Sequence, residues 1–162
     1  LRGQVFADGG IRTYFIENQQ KSLLAAAFEL PDRPVQKGDT WKVDFSCMDI
    51  RGVMTTDTIV RNLNVKAEDI YTTPEGDTMV VVTYDLYERL VATSKSYKKK
   101  GDMVTSMRVQ YYGRGTFSIK QGRWVAYNAV FTLESFGMMA AKMKGVYGLM
   151  PVDDVPEVFK QD

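Results

Sequence analysis

The sequence predicts a mainly β protein. Its core is one curved antiparallel sheet forming a half-barrel, with one or two short helices allowed. Three observations predict this. Apolar residues recur with period two over long stretches. Tight-turn signals separate those stretches. Two glycines, Gly113 and Gly115, fall on the apolar face of the longest one, where missing side chains let a sheet bend.

That longest stretch is 103–119, "MVTSMRVQYYGRGTFSI". Met103, Met107, Val109, Tyr111, Phe117 and Ile119 share one side, and Ser106, Arg108, Gln110, Arg114 and Ser118 share the other. One face is therefore expected against a core and one against water. A two-residue turn at Gln121–Gly122 leads into "RWVAYNAVFTLESF", which places Val125, Tyr127, Ala129, Phe131 and Leu133 together. Residues 57–71 place Ile59, Leu63, Val65, Ala67 and Tyr71 on one side. After the turn "TPEGD" at 73–77, the return strand places Val80, Val82, Tyr84, Leu86, Leu90 and Ala92 together. The basic run "SKSYKKKGD" at 94–102 reads as an exposed connection. These four strands form a meander.

Two shorter pieces complete the sheet reading. "GQVFA" and "IRTYFI" flank the turn signal "DGG" at 8–10. "TWKVDFS" at 40–46 alternates, with Trp41, Val43, Phe45 and Cys47 on one side. About seven strands result. Segment 18–30 fits a short helix or a strand, and its alanines favour the helix. Segment 137–151, rich in methionine, fits either. It is expected to plug the open side of the sheet or to present an adaptable apolar surface. Residues 1–162 read as one domain, with 151–162 as a surface tail.

Composition narrows the chemistry. The chain has 162 residues, 44% hydrophobic and 25% charged, with a net charge of +1. That is a globular profile without a bulk field for nucleic acid. It contains no histidine, which removes Ser-His-Asp, Cys-His and histidine-metal chemistry. The single cysteine, Cys47, permits no internal disulfide and reads as a small buried hydrophobe. No apolar run approaches the roughly 18 residues of a membrane-spanning helix. The chain opens on Leu1, which suggests a processed product or a fragment.

Candidate sites are few. Asp39, Asp44, Asp49 and Asp57 cluster in sequence, but turn and strand-end roles account for them without a catalytic pair. "GRG" at 113–115 lacks the lysine and helix of a phosphate loop and lies inside an alternating strand. No catalytic residue, metal or cofactor is expected.

The most patterned stretch is "LPDRPVQKGDTW", 30–41. Pro31 and Pro34 hold extended backbone, Gly38 and Asp39 turn it, and Trp41 enters the sheet. This phrase resembles the LP-x-x-P-V-x-x-G-D-x-W phrase of uncharacterised exported and lipoprotein domains of the bacterial envelope. "YYGRGTFSIKQGRW" is similar to a second phrase of those domains. The resemblance covers about residues 28–136 with gaps. It implies a half-barrel similar in shape to lipoprotein-localisation carriers, and a periplasmic or envelope location. The expected role is non-catalytic binding of a lipid or acyl chain in the concave face. The expected lining is Trp41, Phe45, Tyr84, Met107, Tyr111, Phe117, Tyr127 and Phe131. The alternative is a structural or interaction module that contacts an envelope protein partner.

Overall fold

The computed structural model describes residues 3–5, 11–14, 30–31, 33–43, 54–95, 102–137 and 140–149. Eight strands are described: β1 (Gly3–Val5), β2 (Ile11–Tyr14), β3 (Thr40–Lys42), β4 (Thr55–Thr72), β5 (Thr78–Lys95), β6 (Asp102–Ser118), β7 (Arg123–Phe136) and β8 (Ala141–Leu149). β1 and β2 pair antiparallel across the "DGG" stretch. The other six form one open sheet in chain order, each antiparallel to the next. This is the open, curved half-barrel that the alternation predicts. Among the described residues there is no helix, and so none long and apolar enough to cross a membrane. Residues 18–29 of segment 18–30, expected as a short helix or a strand, lie outside the described residues, as do Phe45, Cys47 and the tail.

The inner face carries the core. In β5 every second residue from Val80 to Ala92 is buried. Their cross-strand partners continue the rows: Leu63, Leu86, Tyr111 and Phe131 form one, and Ala67, Val82, Gly115 and Tyr127 another. Facing apolar pairs of this kind are the unit of sheet stabilisation.

Two of the three register slips described in this sheet move an expected side chain off the inner face. The register slips between Ala67 and Asp69, so Glu68 is an extra residue in β4. Parity reverses beyond it. Ile70 therefore packs against the core, and Tyr71, expected inside, is 46% exposed. A second slip in the β6–β7 pairing makes Val125 the extra residue, because Phe117 faces Trp124 and Thr116 faces Ala126. Trp124 is buried as a result, and Val125, expected on that face, is only half-buried.

Two further expectations are corrected. The β6–β7 connection has four residues, Ile119–Gly122, rather than two. Ser118 sets it by accepting the Gln121 and Gly122 amides, on its Oγ and its carbonyl. Segment 141–149 is a strand paired with β7, at the edge of the sheet among the described residues, and largely exposed on both faces, so it does not plug the sheet.

Candidate functional site

The strap at 33–39 is built by short-range chemistry. Gly38 takes φ +92°, a backbone state that favours glycine. Its amide donates to the Ala67 carbonyl, and Ala67 donates back to the Asp39 carbonyl, which fastens the strap to β4. The Asp39 carboxylate accepts the Gln36 amide at 3.0 Å and the Arg33 guanidinium at 2.9 Å. Those two bonds hold it below the usual carboxylate pKa, the amide contributing most. Lys37 reaches Asp69 at 2.8 Å. The two prolines stiffen what lies between.

The strap thereby stands over one end of the inner face and encloses a pocket of about 330 Å³. Leu30, Pro31, Pro34, Val35 and Trp41 supply one wall, with Arg33 beside them. Ile70, Val80, Val82 and Phe117 supply the sheet wall, and Thr78 and Ile119 stand at the same end. The pocket is apolar, partly open and at the small end of the range for ligand sites, about 300–1,000 Å³.

The expected lining residues divide between two places. Trp41 and Phe117 line the pocket. Tyr84, Tyr111 and Tyr127 are buried further along the inner face in an aromatic cluster with Trp124. Ring centroids there are 5.3–6.4 Å apart, with interplanar angles of 57–86°. Such tilted and edge contacts suit the ring quadrupoles. The Tyr111 and Tyr127 hydroxyls bond to one another. Burial raises the Tyr127 hydroxyl well above its ordinary pKa. Phe131 is buried in the same core, and Met107 packs against it, half-buried. Phe45 lies outside the described residues.

The sequence does not mark Leu30, Pro31, Pro34, Val35, Ile70, Val80 and Val82 as lining. Proline and apolar residues gathered ahead of a Gly-Asp turn were the available signal.

Acidic groups serve structure. Asp77 ends the β4–β5 turn and accepts from the Ser118 hydroxyl and the Lys120 amide, tying that turn to the β6–β7 turn. These contacts, the Ser118 hydroxyl first, hold its carboxyl below the ordinary value. Asp57 accepts the Thr93 hydroxyl at 2.6 Å. Glu88, 1% exposed on the inner face, pairs with Arg61 at 3.2 Å. Among the described residues no group of three or more Cys, Asp or Glu stands together as a metal site. The chain matches no protein-family profile, no curated protein and no solved structure.

Proposed function

We propose that this chain is a non-catalytic protein of the bacterial envelope that binds an apolar ligand, a lipid or acyl chain, on the inner face of its half-barrel. The site is the end of that face covered by the 33–39 strap, with Leu30, Pro31 and Trp41 beside it. One observation carries the reading: an apolar pocket of about 330 Å³ walled by the strap and by Ile70, Val80, Val82 and Phe117. Each methylene moved from water into such a site contributes about 0.8 kcal/mol. A hydrocarbon chain is thus the ligand class that such walls favour. The envelope location is supported by the resemblance of the strap phrase. The centre of the inner face is filled by Tyr84, Tyr111, Trp124 and Tyr127, so the ligand enters at the strap end.

Native mass spectrometry of the purified protein tests this. A bound lipid or fatty acid is expected, released by organic extraction, with the apo mass appearing afterwards. Apo protein alone, together with no uptake of added fatty acid, contradicts the reading.

A second reading, an interaction module, has one observation in its favour. β8 is an edge strand among the described residues, and its Val146 is 75% exposed. Open edges pair with other strands. Self-pairing there would give a dimer in light scattering that Val146→Asp dissolves. A monomer at every concentration contradicts self-pairing.

A further inference from the structure

The outer face of the sheet has a charge imbalance that the whole chain lacks. Four consecutive cross-strand rows cover its middle. They run Val60–Arg89–Arg108–Glu134–Lys142, then Asn62–Tyr87–Gln110–Thr132–Lys144, then Asn64–Asp85–Tyr112–Val130–Val146, then Lys66–Thr83–Arg114–Asn128–Gly148. These rows hold six cations and two carboxylates, and all six cations are exposed. Lys42 of β3 continues the third row beside Asn64. Glu68, at the bulge just beyond, is 3.3 Å from Arg114 and adds a third carboxylate. The excess is four positive charges, against +1 for the entire chain.

Glu134 answers two of the cations, Arg108 and, at 2.9 Å, Lys142. Strands lie about 4.8 Å apart and alternate residues about 6.8 Å apart, so this patch measures roughly 20 by 20 Å. Exposed apolar side chains stand among the charges: Tyr112 at 52%, Val60 at 51% and Val146 at 75%.

We propose that this outer face docks on an anionic lipid surface. Phosphate headgroups would meet the lysines and arginines, whose long stems can lie along apolar surface. Tyr112 and the two valines would enter the interfacial layer, where tyrosine is favoured. A single-stranded nucleic acid fits less well. It needs flat aromatic platforms, and two of these three exposed apolar groups are aliphatic. The inference goes beyond the ligand pocket, which opens on the other face, and stands without it.

The test is co-sedimentation of the whole chain with phosphatidylcholine vesicles, with and without about 30 mol % phosphatidylglycerol, at low and high salt. Binding is expected only to the anionic vesicles, and it is expected to weaken as salt rises. Arg89→Glu with Lys144→Glu is expected to weaken it by at least about tenfold while leaving the circular dichroism spectrum unchanged. Lys66→Glu with Arg114→Glu, on the opposite side of the patch, is expected to do the same. Tyr112→Ser with Val146→Ser is expected to weaken it with the salt dependence preserved. Equal binding to both vesicle types, no binding, or indifference to both charge-reversal pairs overturns the proposal. Binding to single-stranded DNA without vesicle binding also overturns it.

Discussion

The indole of Trp124 lies directly on Gly115. A Cβ at that glycine would come within 2.6 Å of the Trp124 ring and 2.7 Å of Tyr127. The glycine's lack of a side chain therefore makes room for two aromatic rings folded over it.

Gly115→Ala is expected to destabilise the protein by about 1–3 kcal/mol, because both rings must shift off a packed arrangement. Urea unfolding measures this. Near-ultraviolet circular dichroism should change with it, since Trp124, Tyr127, Tyr84 and Tyr111 form one cluster. An unchanged midpoint would contradict the packing role.

Asp77 makes stability depend on acid. Its folded carboxyl is held below the ordinary value, so it binds a proton less readily than in the unfolded chain. Its contribution is complete above the unfolded aspartate value of about 3.9 and is lost as pH falls through the lower folded value. Asp77→Asn is expected to lower the melting temperature at pH 7 and to narrow the gap from wild type as pH falls below about 4. A gap that stays constant down to acid pH would contradict this.

Much of the sheet is readable from the chain because one face is buried: every second residue of β5 from Val80 to Ala92 is buried, and all of these but Glu88 are apolar. Reading fails at Tyr71 and Val125. Each follows or forms a bulge, and a bulge reverses parity without any side-chain signature of its own. The pocket is less readable for a different reason. Pro31, Pro34 and Gly38 announce a stiff turn, but its position over Val80, Val82 and Phe117 depends on bonds to Ala67 and Asp69, some 30 residues away. Ile70 reaches the pocket only because the Glu68 bulge turns it inward.

The strap is held by contacts that can be loosened separately from the core. Asp39→Ala removes the acceptor for Arg33 and the Gln36 amide. Hydrogen exchange at the Gly38 and Ala67 amides is expected to quicken while the global unfolding midpoint stays nearly unchanged. Ligand affinity is expected to fall at the same time. A cooperative loss of the whole fold, or no change in exchange, would contradict a strap fastened in this way.

We propose that an acyl chain occupies the space between the strap and the sheet. The most direct measurement is displacement of a fluorescent fatty acid from wild type and from Val80→Phe. Val80 is a buried residue of the pocket wall, and the added ring takes up space within it. The expected result is saturable binding by wild type and at least a tenfold loss in Val80→Phe, about 1.4 kcal/mol, in a variant that keeps the wild-type circular dichroism spectrum at the assay temperature. Equal affinity in the two proteins, or no binding by either, would contradict the claim.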